Sequence, residues 1–201
     1  MPEKGRAKHK FCRRLGYCLW ENPKCPSVKR PYPAGQHGKT GKKKKLSTYG
    51  ELLLEKQKLK QHYCITEAQL VLAYQRAKKG EGKTHEKLFR ALETRLDSVV
   101  FRSGLAPSMH SAKQVVNHRH VLVDGKIVDR GSFMVKPGQV INISVEKSPS
   151  VAEAAKNSNR TVPPYLEVDR EQVKASLLRA PEIGEIPLQV EVMSVIEYYA
   201  R

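Results

Sequence analysis

An α+β fold is predicted for this chain: a basic N-terminal arm, then a small all-helical region, then a module of two helices packed on a small antiparallel sheet. Three observations carry the prediction. Lysine and arginine crowd the first 45 residues, which hold few large apolar side chains. Apolar residues recur at helical spacing in several stretches from Leu52 onward. Asp124-Gly125 separates two short apolar-rich runs, the signature of a two-residue hairpin whose central residues both need positive φ.

Taken in order, Ser47 is placed to cap a helix running through Leu52, Leu53, Leu59 and Tyr63. Thr66 with Gln69 forms a capping box for a second helix through Leu70, Ala73 and Ala77, which ends at Gly80. Gly80-Glu81-Gly82-Lys83 is then a polar joint. Thr84 is the expected cap of a helix in which Leu88, Leu92, Leu96, Val99 and Val100 recur until Gly104 stops the run. Ser108 caps the next, where Ala112, Val115 and Val116 point inward, so Lys113, Gln114, Asn117 and Arg119 must face elsewhere. Val121 to Val123 and Lys126 to Val128 flank the hairpin turn. A turn at Lys136-Pro137-Gly138 leads into residues 139–145, whose alternation is that of a half-buried strand. Ser150 with Glu153 reads as a further capping box, and Val192, Val195, Ile196 and Tyr199 give a closing helix by spacing.

The formal charge is +17 on 201 residues, far beyond what solubility requires, and it points to a polyanionic partner. Residues 1–45 hold 14 of the 37 basic residues and 2 of the 20 acidic ones, or +12 of the +17. Such a segment cannot bury enough apolar surface to fold alone. A flexible solubilising or nuclear-targeting tail is the plainer alternative, but the tight Tyr32-Pro33-Ala34-Gly35-Gln36-His37-Gly38 turn argues for a defined shape. No run of about 18 apolar residues is present to span a membrane, and the N-terminus lacks a secretory apolar core. Four cysteines without an export signal suggest reduced thiols or metal ligands in a cytoplasmic protein.

Three stretches then become specific. Arg95-Leu96-Asp97-Ser98-Val99-Val100-Phe101-Arg102-Ser103-Gly104 and Ala112-Lys113-Gln114-Val115-Val116-Asn117-His118, with His120 to Lys126, resemble an RNA-binding module shared by a small ribosomal subunit protein and several RNA-modifying enzymes. Arg30 to Gly38, Glu55-Lys56-Gln57-Lys58-Leu59, Pro164-Tyr165-Leu166-Glu167-Val168 and Glu197-Tyr198-Tyr199-Ala200-Arg201 narrow the choice. Together they resemble, over essentially the whole chain, the bacterial form of the small ribosomal subunit protein four (uS4) family. The resemblance implies three parts: a basic arm at 1–45, a discontinuous helical domain at 46–97 plus 160–201, and the RNA-binding module at 98–159. It also implies a partner, a multi-helix junction of small-subunit ribosomal RNA bound early in assembly. It further implies a position beside neighbouring small-subunit proteins where messenger RNA enters, with an influence on decoding accuracy. Some members of the family repress their own messenger RNA.

The residues expected to meet RNA follow from charge, hydrogen-bonding capacity and this resemblance. In the arm they are Arg13, Arg14, Lys29, Arg30, Tyr32, Gln36, His37, Lys39, Lys42, Lys43, Lys44 and Lys45. In the helix after it they are Tyr49, Lys56 and Lys58. In the module they are Ser108, Lys113, Gln114, Asn117, His118, Arg119, His120 and Lys126. The lysine run would act chiefly through phosphate neutralisation, Tyr32 or Tyr49 through stacking on bases, and the module through phosphates and hydroxyls. The arm is expected to order against the RNA.

Cys12, Cys18 and Cys25 crowd into the arm, with His9 close before Cys12. A segment without its own core is one that a tetrahedral zinc could pin. Many bacterial relatives carry a four-cysteine zinc site here. Aligning on the Arg30-Pro31-Tyr32 turn puts Cys25 and Cys12 on two ligand positions and His9 on a third, while the fourth falls on Trp20, two residues past Cys18. Two readings stand: one structural zinc held by His9, Cys12, Cys18 and Cys25, or reduced structural thiols. Cys64 is read as packing.

An enzyme is the main competitor. Pseudouridine synthases that carry this module use an Arg-Leu-Asp motif, matched here by Arg95-Leu96-Asp97, but their catalytic domain follows the module, whereas about fifty residues follow the last strand expected here. Asp97 is therefore expected to cap a helix or pair with a cation. No P-loop, HExxH helix, GxSxG elbow or dinucleotide fingerprint occurs. A DNA-binding regulator with residues 108–119 as recognition helix fits the hairpin and the arm poorly. Three positions depart from the family's pattern: Met109 and Met134, where arginine is usual, and Asp124, where asparagine is. Each is expected to weaken the positive face of the module.

Overall fold

The computed structural model describes residues 9–20, 22, 24–41, 45–145, 148–185 and 190–200, and they form the α+β fold expected. The arm contributes α1 (Lys10–Leu15) and α2 (Pro26–Lys29). It is followed by α3 (Thr48–His62), α4 (Glu67–Lys79), α5 (Thr84–Glu93), α6 (Leu96–Arg102) and α7 (Met109–Asn117). Next come β1 (Val121–Val123), β2 (Lys126–Ile127), β3 (Val140–Ile143), α8 (Pro149–Lys156), β4 (Leu166–Asp169), β5 (Lys174–Leu177) and α9 (Val192–Ala200). No helix among the described residues is long and apolar enough to cross a membrane.

Local capping sets several starts. The Ser47 hydroxyl accepts from the Gly50 amide at 3.3 Å, and that of Ser108 from the Ser111 amide at 3.1 Å. Thr66 and Gln69 close both halves of their box, the Thr66 amide donating to the Gln69 side chain at 3.2 Å and the Gln69 amide to the Thr66 hydroxyl at 3.3 Å. The Ser150–Glu153 box does not form: α8 begins at Pro149, with Ser148 before it donating its hydroxyl to the Ser144 carbonyl. Nor is there one helix from Thr84 to Gly104. Arg95 is extended, and the Leu96 amide donates to the Phe133 carbonyl while the Val135 amide donates to that of Thr94. This cross-chain bridge breaks the run into α5 and α6, and Thr84 is the first helical residue rather than the cap.

Compact packing divides the chain into Met1–Leu70 with Gln189–Arg201, and Val71–Leu188. Residues 166–177 form strands that complete the module's sheet and so fall in the second unit. In the first unit α9 lies along α3, and the buried side chains include Leu52, Leu59, Tyr63, Val192 and Val195. The described part of the arm packs into the same unit, with Cys12, Leu19, Trp20 and Cys25 buried.

In the second unit the strands run in the order β2-β1-β3-β5-β4, all antiparallel. The hairpin turn is as expected, with Asp124 at φ 48° and Gly125 at φ 78°. Register pairs Val121 with Ile143 and Ile141 with Ala175, so Val121, Val123, Ile141, Ile143, Ala175 and Leu177 share one buried face. Buried charge is paired. Arg102 meets Glu93 at 2.8 Å, and the Tyr165 hydroxyl donates to the same carboxylate at 3.2 Å. This joins α5, α6 and the approach to β4.

Candidate nucleic-acid interface

The arm is built around four potential ligands. Nδ1 or Nε2 of His9 and the Sγ atoms of Cys12, Cys18 and Cys25 all lie within 4.8 Å of one another. The glycine after α1, Gly16 at φ 89°, lets the chain reverse between Cys12 and Cys18, and Cys25 sits at the start of α2. His9 Nδ1 is 3.1 Å from Cys25 Sγ, and the Ser27 hydroxyl donates to that sulfur at 3.1 Å. Burial pushes the Cys12 thiol up to about 12. Burial acts the same way on Cys25, but hydrogen bonds from the Ser27 hydroxyl and amide and from the neighbouring thiols outweigh it and leave that thiol lowered. A tetrahedral zinc sets sulfur ligands about 3.8 Å apart, so these donors fit one with small side-chain adjustments. Trp20 takes no ligand place. Its indole N–H donates to the His62 carbonyl at 2.9 Å, His62 Nδ1 returns a bond to the Leu19 carbonyl at 3.0 Å, and its ring meets that of His9 edge-on at 5.7 Å.

Next to this cluster stands the turn at 32–41. Arg13 Nε donates to the Tyr32 carbonyl at 3.2 Å and its terminal nitrogen to the Pro33 carbonyl at 3.3 Å, with the guanidinium 5.1 Å from the centre of the Tyr32 ring. Arg13 is thus turned inward on the loop. A Cβ at Gly38 would lie 1.9 Å from the Pro33 carbonyl oxygen, so only glycine fits there. Arg14, Lys29, Arg30, Gln36, His37, Lys39 and Lys45 are exposed, and Tyr32 is half-buried. Lys10 and Lys24, passed over in the sequence reading, are exposed as well; their signal was charge alone. Lys42, Lys43 and Lys44 lie outside the described residues.

Two lysines of α3 are not surface cations. Lys56 is 6% exposed, holds Glu67 at 2.9 Å and stands 4.3 Å from the centre of the Tyr198 ring. Lys58 pairs with Glu55 on the same helix. A side chain so enclosed cannot neutralise a phosphate, and the expectation for Lys56 is corrected on that ground. Tyr49 remains exposed, its hydroxyl 3.3 Å from that of Tyr198.

On the module, Gln114, Asn117, His118, Arg119 and Lys126 are exposed and His120 is half-buried, 6.0 Å from His118 between ring centres. The Ser108 hydroxyl accepts from the Ser111 amide as the α7 cap. Lys113 leans on Asp97 at 3.3 Å, and Arg119, at φ 63°, pairs with Asp129 at 3.2 Å. Asp97 is 1% exposed and accepts two bonds from Arg95 at 3.0 and 2.8 Å, while Gly131 lies so close that a Cβ there would stand 2.9 Å from its carboxylate. No substrate can reach it as a nucleophile. Met109 is 2% exposed and belongs to the core; Met134 is exposed. Asp124 accepts from the Val140 amide at 3.0 Å and the Gln139 side chain at 2.8 Å, locking the hairpin to β3.

Comparisons with known proteins bear on the family. The family model described as ribosomal protein S4/S9 N-terminal domain matches residues 4–93, and the one described as S4 domain matches residues 94–141. The small ribosomal subunit protein uS4 of Clavibacter sepedonicus is 44% identical, covering 97% of this chain and 96% of its own length. The proteins of the same name from Phenylobacterium zucineum and Ruegeria pomeroyi are each 43% identical, with both chains covered in full. The two family matches and the end-to-end similarity to these relatives place this chain in the small ribosomal subunit protein uS4 family.

Proposed function

We propose that this protein is a structural constituent of the small ribosomal subunit and binds a multi-helix junction of its ribosomal RNA. The observation that carries the reading is the end-to-end similarity to proteins named for that subunit. The chemistry is consistent with it. Exposed arginines and lysines of the arm neutralise phosphates, and the polar side chains of α7 and the hairpin meet hydroxyls and phosphates of a folded RNA. Binding then favours one RNA arrangement over others, which is how such a protein nucleates assembly of the subunit body. It is not an enzyme: its relatives are ribosomal proteins, and Asp97 is enclosed by Arg95 and Lys113. The setting is the ribosome of a bacterial cytoplasm, beside neighbouring small-subunit proteins and the path of messenger RNA, where the contact bears on decoding accuracy.

The test is co-sedimentation. The protein should stay with small subunits through a high-salt wash and bind native junction transcripts better than scrambled ones of equal length. Equal affinity for both transcripts would refute the reading.

His9, Cys12, Cys18 and Cys25 form the proposed site of one structural zinc. The metal would tie α1 to α2 and displace the protons of the thiols. Metal analysis of purified protein should return about one zinc per chain, and replacing Cys25 by serine should abolish it. Far less than one in the unaltered protein would leave reduced thiols as the account.

A further inference from the structure

Arg13 and Arg14 are neighbours on α1, and sequence alone gives them the same task. The structure separates them. Arg14 is exposed, whereas Arg13 turns toward its own chain, where its forked guanidinium spans two successive carbonyls, Tyr32 at 3.2 Å and Pro33 at 3.3 Å, and covers the Tyr32 ring at 5.1 Å. Those carbonyls open the loop whose further course is held by the Gly38 amide on the Gly35 carbonyl at 3.1 Å and the Gly41 amide on that of His37 at 2.7 Å. The bonds within the loop are local. Arg13 reaches it from α1, about twenty residues away in sequence.

We infer that Arg13 is a positioning residue for RNA binding: it fixes the shape of the 32–41 loop and presents its exposed side chains, rather than contacting phosphate itself. Lysine cannot replace it. An ammonium is a single point of charge, so it cannot hold two successive carbonyls in the fixed fork of a guanidinium. Preorganised loops bind more tightly because the cost of ordering them is met before the partner arrives.

The inference rests on the RNA-binding reading, and its test separates the two. Affinity for the native junction transcript is measured as a function of salt, together with amide exchange in the free protein. Arg13→Lys should weaken binding about tenfold. It should leave the slope of log affinity against log salt unchanged, because no phosphate contact is lost. Exchange should quicken at Gly38 and Gly41 while the α3 amides keep their protection. Arg14→Gln should do the opposite, lowering the slope by about one and leaving the loop amides alone. Gly38→Ala distorts the loop without touching Arg13 and should reproduce the weaker binding at unchanged slope. Wild-type affinity in Arg13→Lys, a slope lower by about one in Arg13→Gln, unchanged loop exchange, or full affinity in Gly38→Ala would each overturn the inference. Absence of any junction preference in the wild type would sink the RNA reading, while the exchange measurement would still judge the role of Arg13 in the loop.

Discussion

Asp124 is the residue whose chemistry changes most between sequence and structure. By sequence it is a negative charge where the family has asparagine, and so a weakening of a positive face. In the fold its carboxylate accepts two hydrogen bonds from the neighbouring strand β3 and its approach, from the Val140 amide and then the Gln139 side chain, and they hold it below the usual carboxylate range. A group lowered in the folded state lends stability above its unfolded pKa and loses it as pH falls through the lower folded value. The Val140 amide signal should therefore titrate only below the usual carboxylate range, and should stop titrating in Asp124→Asn. Asparagine keeps the left-handed turn but presents one acceptor oxygen instead of two. Met109 teaches a different lesson. It shares the helical stripe of Ala112 and Val116, so its burial was legible from spacing, but comparison with the family's arginine drew attention to charge and away from phase. Lys56 was not legible. Its ion pair with Glu67 and its tyrosine neighbours arrive from other segments, and nothing within its own helix announces them.

Among elements, most of those specified by neighbours in sequence are readable, the Ser150–Glu153 box and the Thr84 cap excepted, and those specified across the chain are not. The Thr66–Gln69 box, the Ser47 and Ser108 caps and the Asp124-Gly125 turn are complete within a few residues. The break between α5 and α6 depends on the strand-like bridge from Arg95 to Met134, about forty residues on. β4 and β5 alternate over only four residues each, and their place in the sheet comes from the pairing of β5 with β3, which is distant in sequence. What fastens β4 to the helices is the buried set of Glu93, Arg102 and Tyr165. Removing the Tyr165 hydroxyl by Tyr165→Phe should cost about 1–2 kcal/mol of unfolding free energy in urea. Glu93→Ala should cost about 3–5 kcal/mol, since it strands a buried guanidinium. A loss below about 1 kcal/mol for Glu93→Ala would mean that Arg102 finds water or another partner.

For the molecule as a whole, charge is divided by use. Lys113 of the module leans on the buried Asp97 and Arg119 shares a surface ion pair with Asp129, whereas Arg14, Lys29, Arg30 and Lys39 of the arm stand exposed. Replacing those four by glutamine should lower the salt slope of RNA binding by about 3.6, at about 0.9 per phosphate contact. Replacing Lys113 and Arg119 together should lower it by less than two contacts' worth. A larger effect from the pair would reverse the division. The net charge foretold a polyanionic partner but not this partition, which depends on which cations the fold turns inward. Trp20 extends the point to observation. It is the sole tryptophan, 8% exposed, with its indole N–H bound to the end of α3 and its ring against His9. The protein therefore carries an optical gauge of its own: a shift of its ultraviolet emission to longer wavelength signals that the arm has lifted from the helix, and no dye is required.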